Sequence, residues 1–114
     1  MYDTVIYTTE NGKEPFVDWL EDLDRPVRAR IKARLARIRE TSNLGVYEPV
    51  GEGVYELKFD FGPGYRVYFG LDGDTLVILL FGGHKKSQQK DINKAQEYWR
   101  EHLSRKGAGK LHER

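Results

Sequence analysis

At 114 residues the chain suits a single domain with a modest core, and its 39% hydrophobic and 32% charged residues exclude a disordered or membrane-embedded class. Nineteen basic and 18 acidic residues give a net charge of +1, so total charge favours no class of partner and only its distribution can inform. Cysteine is absent, which excludes a disulfide framework and a thiolate metal centre.

The start, MYDTVIYTTENG, has no basic segment leading into a long apolar run, and the longest apolar stretch, Leu76 to Phe81, falls far short of the roughly 20 residues that span a bilayer. These features predict a cytoplasmic protein with no membrane partner. Tyr2 to Thr9 is rich in β-branched and aromatic residues and stops at Asn11-Gly12, a strand followed by a turn. Phe16, Trp19, Leu20 and Leu23 then recur at helical spacing over residues 14–23. Asp24 suits the N-cap of a second helix with Pro26 in its first turn, and Val27, Ile31, Leu35 and Ile38 form that helix's buried stripe as far as about Thr41. Asn43 to Gly53, rich in Gly, Pro and polar residues, reads as a loop. Three strands follow, Val54 to Phe59, Tyr65 to Leu71 and Thr75 to Phe81, joined by Gly62-Pro63-Gly64 and by Asp72-Gly73-Asp74 as an antiparallel meander. Ser87 suits the cap of a last helix running to Leu103, with Ile92, Ala95, Trp99 and Leu103 apolar. Residues 1–104 form the predicted domain, and residues 105–114, charged and glycine-containing, a flexible tail. The order β-α-α-β-β-β-α predicts an α+β fold, with a mainly antiparallel sheet and the helices packed on one face.

Alternation along the middle hairpin puts Tyr55, Leu57, Phe59, Tyr65, Val67 and Phe69 on one side and Glu56, Lys58, Arg66 and Tyr68 on the other. A three-residue Gly62–Gly64 loop would set Lys58 across from Tyr68 and Asp60 across from Arg66, with the polar set on the uncovered face. The third strand, apolar on both faces, reads as an interior strand, and the two glycines after Phe81 would release the chain there, delivering His84, Lys85 and Lys86 beside the polar face. An open sheet face needs polar residues for solubility alone. Clustered cations beside groups able to move protons, with exposed aromatic surface, also suit a phosphodiester. The histidines and carboxylates show no metal-ligand spacing, and no cofactor is implied. Seven basic residues lie between Arg25 and Arg39 without an acid, namely Arg25, Arg28, Arg30, Lys32, Arg34, Arg37 and Arg39, a footprint for RNA or an acidic partner unless it is a solvated face.

VYELKF, GPGYRVYF and LLFGGHKKSQQKDI resemble, in order and spacing, the strand motifs of the RelE superfamily of toxins from type II toxin–antitoxin modules, nearest its HigB-like, phage-derived addiction-module killer branch. The resemblance covers nearly the whole chain up to about residue 104. It implies a compact toxin that cleaves mRNA in the ribosomal A site without metal, by attack of a ribose 2′-hydroxyl on the adjacent phosphate. It implies catalytic roles for Lys58, Arg66 and Lys85, with Glu56, Tyr68 and His84 in support. The branch often carries an acid where this chain has His84. Ribosome and mRNA would be the targets, met through Arg28, Arg30, Arg34, Arg37 and Lys86, and an adjacently encoded helix-turn-helix antitoxin the neutralising partner. Two other readings use the same residues: a non-catalytic RNA- or ribosome-binding protein, and an interaction module for an acidic peptide or antitoxin.

Overall fold

The structure, a computed structural model, describes residues 2–73 and 76–112. In chain order these form β1 (Asp3–Ile6), α1 (Pro15–Glu21), α2 (Arg25–Thr41), β2 (Tyr47–Gly51), β3 (Val54–Lys58), β4 (Tyr65–Asp72), β5 (Leu76–His84), a 3-10 turn (Lys85–Ser87) and α3 (Gln88–His112). The strands make one sheet in the order β1-β5-β4-β3-β2, with β1 parallel to β5 and the other neighbours antiparallel. The α+β class and the largely antiparallel sheet are as the sequence predicts, and β5 lies in the interior between β1 and β4. Among the described residues no helix is long and apolar enough to cross a membrane.

The helices do not share one face. Phe16 and Leu20 of α1 and Ile31, Leu35 and Ile38 of α2 pack with Leu57, Val67, Phe69, Val77 and Leu79. Ile92, Ala95 and Trp99 of α3 pack on the other side with Val54, Tyr68, Ile78 and Leu80. The expected uncovered face is therefore covered. The polarity of Glu56, Arg66 and Tyr68 imitates a solvated face, whereas the double-sided apolar run of β5 and the apolar stripe of α3 require a cover on each side.

Residues 43–53 contain a strand where a loop is expected. β2 pairs with β3, Glu48 opposite Glu56, with a register shift between Pro49 and Gly51. It is an edge strand, which tolerates proline and shows no apolar alternation to read. The hairpin register differs too: Lys58 pairs with Arg66 and Glu56 with Tyr68. A connection from Phe59 to Gly64 replaces the three-residue loop, closed by the Phe59 amide on the Tyr65 carbonyl (3.0 Å) and the Gly64 amide on the Phe61 carbonyl (3.1 Å). The slip is by two residues, so every side chain keeps its expected side of the sheet. Asp74 and Thr75, the end of the second expected turn and the expected start of the third strand, lie outside the described residues.

Asp24 flanks α2 as expected, but its side chain makes no capping hydrogen bond. Ser87 directly precedes α3 and turns its hydroxyl to the Asp91 carboxylate. Leu103, assigned to the apolar set, is exposed, and the helix continues past it to His112. The far half of α3 is fastened to the sheet by the Tyr7 hydroxyl donating to Glu101 and by Lys106 paired with Asp72.

Candidate active site

Lys58 ends β3, Arg66 stands near the start of β4 and Lys85 opens the 3-10 turn after β5, so three consecutive strands each bring one cation to the same end of the sheet. Because the Phe59 amide bonds to the Tyr65 carbonyl, Lys58 and Arg66 form the neighbouring pair without ladder hydrogen bonds, the closer type, with Cα atoms roughly 4.5 Å apart. The Lys85 amide donates to the Gly64 carbonyl (2.9 Å), tying the 3-10 turn to the β3–β4 connection. Gly64 has φ +77°, and a Cβ there would stand 3.4 Å from both Arg66 Nη1 and Lys85 Cβ. Glycine thus permits both the left-handed backbone and the approach of the two cationic residues over it.

Arg66 is held from beneath. It is only 8% exposed, and its Nε lies 3.6 Å from Oε1 of Glu56, which is 1% exposed. That is an ion pair without a hydrogen bond, and Arg66 Nε has no hydrogen-bond partner among the described residues. Nη1 donates to the Tyr65 carbonyl (3.1 Å). Gln88, the first residue of α3, donates from Nε2 to the same Glu56 Oε1 (2.6 Å). A guanidinium so seated keeps donors for an incoming anion. Tyr68 is fully buried in the same layer, and burial, reinforced by the Glu56 and Asp91 carboxylates, raises its phenol well above the ordinary value. That excludes Tyr68 as a base near neutrality and leaves it no exposed ring for stacking.

Gly82 and Gly83 do not release the chain from the sheet; both belong to β5. A Cβ on Gly82 would collide with the Trp19 indole of α1, and one on Gly83 with the Asp91 carboxylate of α3. The two glycines let both helical layers close on the end of the strand that delivers Lys85. His84 is the β5 partner of Tyr65, so it leaves the sheet on the α1 side, opposite to Arg66, and its Nδ1 is buried without a hydrogen-bond partner among the described residues. It does not join the three cations. Lys85 and Lys86 are both exposed.

The basic residues of α2 divide. Arg28 donates to the Glu21 (3.2 Å) and Leu23 (2.9 Å) carbonyls and so ties α2 to the end of α1. Arg34, half-buried, donates to the carbonyls of Lys58 (3.3 Å), Leu44 (3.4 Å) and Val46 (3.3 Å), and burial followed by the charge of Arg37 lowers its pKa. Arg30 and Arg37 are exposed. The Arg30 guanidinium carbon sits over Phe61, 3.7 Å from the ring centroid.

Glu48, Gln88 and Asp91 escape the sequence reading. Lys58 Nζ is 3.1 Å from Glu48, which arrives on the unrecognised strand β2. Gln88 and Asp91 stand in the QQKDI motif one helical turn apart, and their acceptor and donor chemistry gives a signal only once α3 is known to cover the polar face.

Residues 18–100 match the family described as "Phage derived protein Gp49-like (DUF891)". An uncharacterised protein of Haemophilus influenzae, strain Rd, is 43% identical over 81 residues, spanning 70% of this chain and 81% of that relative. The free-state structure of a double arginine-to-alanine mutant of the Escherichia coli toxin RelE superposes with a TM-score of 0.50 at 20% identity, covering 89% of this chain and 98% of that one. The last likeness is one of fold, and it agrees with the superfamily suggested by the strand motifs.

Proposed function

Since this chain belongs to the phage-derived Gp49-like protein family, within a RelE-type fold, we propose that it is the toxin of a toxin–antitoxin module and acts as an endoribonuclease on mRNA at the ribosome. The observation that carries the reading is that Arg66 and Lys85 meet over Gly64, with Lys58 the cross-strand partner of Arg66. A phosphodiester under attack gathers negative charge on its non-bridging oxygens, and preorganised donors aimed there lower the barrier. Arg66, with a planar fork of donors already seated against Glu56, binds the scissile phosphate. The ribose 2′-hydroxyl gives up its proton as its oxygen bonds to phosphorus. The bond from phosphorus to the 5′-oxygen then breaks, and that oxygen takes up a proton, leaving a 2′,3′-cyclic phosphate and a 5′-hydroxyl. Lys58 and Lys85, on either side of Arg66, carry this proton traffic. The phosphate needs no further cation in this scheme. A cognate antitoxin completes the reading.

The test is inducible expression with mapping of mRNA 5′ ends, beside Arg66→Lys. Lysine keeps a charge opposite Glu56 but loses the fork, so cleavage should fall at least a hundredfold, about the loss seen when one oxyanion donor is removed, with the protein still folded. New 5′ ends that persist undiminished in the variant, or that never arise with the wild type, defeat the proposal. The second case would leave a non-catalytic RNA-binding protein.

A further inference from the structure

Bordered by Lys58, a cleft of about 560 Å³ lies between α2 and the connection after β3, within the range of sites that hold a small ligand. Arg30 and Arg37 of α2 and Phe59 and Phe61 of the connection line it, with Lys58 at the boundary with the candidate active site. Arg34 stands at its back, spent on three backbone carbonyls, so it supplies field and rigidity rather than free donors. The cleft is positive: Asp60 is the one acid against Arg30, Arg34, Arg37 and Lys58 among the residues lining it.

Its other property is a flat platform. The Arg30 guanidinium stacks on Phe61 at 3.7 Å, and Phe61 is braced by Phe59 (6.1 Å, edge-on) and Tyr65 (5.4 Å). An arginine laid on an aromatic ring is fixed in plane, and its outer face is a surface on which a nucleobase stacks. An acidic peptide would use the charges but not the platform. We propose that this cleft is a nucleotide subsite, holding the residue next to the cleaved linkage with its base on Arg30 and its phosphate between Arg37 and Lys58. Lys58 then belongs to both sites and sets the step from the stacked base to the reacting phosphate. The inference rests on RNA being the substrate, as proposed above.

Binding is measured with a short single-stranded RNA fully 2′-O-methylated, which cannot be cut, and with a set in which each base in turn is removed. For the wild type, removing one particular base should weaken binding roughly five- to a hundredfold, the range for loss of one stacked base. Arg30→Gln should abolish that penalty, whereas Arg66→Lys should retain it; unchanged denaturation midpoints establish that both variants are folded. A uniform response to base removal, or a penalty that survives in Arg30→Gln, overturns the subsite. If the cleft binds an acidic peptide as tightly as RNA with no base dependence, it is a protein-docking surface and the proposal falls. Cleavage of unmethylated mRNA is read separately, so failure of the ribonuclease reading is not mistaken for failure of the subsite.

Discussion

Arg66 carries two obligations under the proposed reaction, since it would bind the phosphate and also neutralises Glu56, which lies 1% exposed beneath it. Removing one member of a buried ion pair leaves the other charged and unsolvated, a loss of about 3–5 kcal/mol. Arg66→Ala should therefore lower the unfolding free energy by roughly that amount in urea melts, with inactivity and instability arriving together. Adding Glu56→Gln should restore more than half of the stability and none of the cleavage. A double variant no more stable than the single one would show that the pair does not couple. The sequence gives no hint of this burden: alternation assigns Arg66 to the side of Glu56 and Tyr68, but only the cover of α3 makes that side dry.

At the level of elements, the end of β5 is where both helical layers and the active side chains meet, and Gly83 is the point of closest approach. A methyl group there must displace Asp91, which Ser87 also holds, and with it the 3-10 turn that presents Lys85. Gly83→Ala should cost about 1–3 kcal/mol, the usual range for overpacking, and should reduce cleavage by more than stability alone explains, in assays kept well below the melting range. Cleavage unaffected in Gly83→Ala would separate Lys85 from the packing of α3. These dependences explain what was readable beforehand. Strong apolar periodicity located α1, α2, β3, β4 and the start of α3, because their buried stripes are encoded one residue at a time. It missed β2, whose stability comes from pairing along β3, and it misjudged the hairpin connection, where Gly62 and Gly64 at φ +58° and +77° allow a longer path than the sequence signal implies.

Over the whole molecule, a net charge of +1 conceals local polarity, with Arg30, Arg34 and Arg37 of α2 lining one cleft together with Lys58. The helix was legible as basic, yet not which residues were available: Arg28 and Arg34 are engaged by carbonyls, while Arg30 and Arg37 are open. Each phosphate contact contributes about 0.7 to the slope of log affinity against log salt for a single strand. Arg37→Gln should therefore flatten that slope by about 0.7 for a methylated RNA oligomer, with little change in the melting midpoint. An unaltered slope would place the RNA elsewhere.

The interruption in β5 has a wider effect. Tyr68 faces Phe81 while Phe69 faces Leu79, so Leu80 is one residue too many for the ladder. Every side chain after it is exchanged between the two sides of the sheet. Were the count even, His84 would stand on the arginine's side, diagonal to it, and an imidazole would join the candidate site. The surplus leucine removes that option and leaves bare glycine opposite Arg66. In this scaffold, which side chains stand beside Arg66 is settled by the parity of a strand as much as by the identity of its residues.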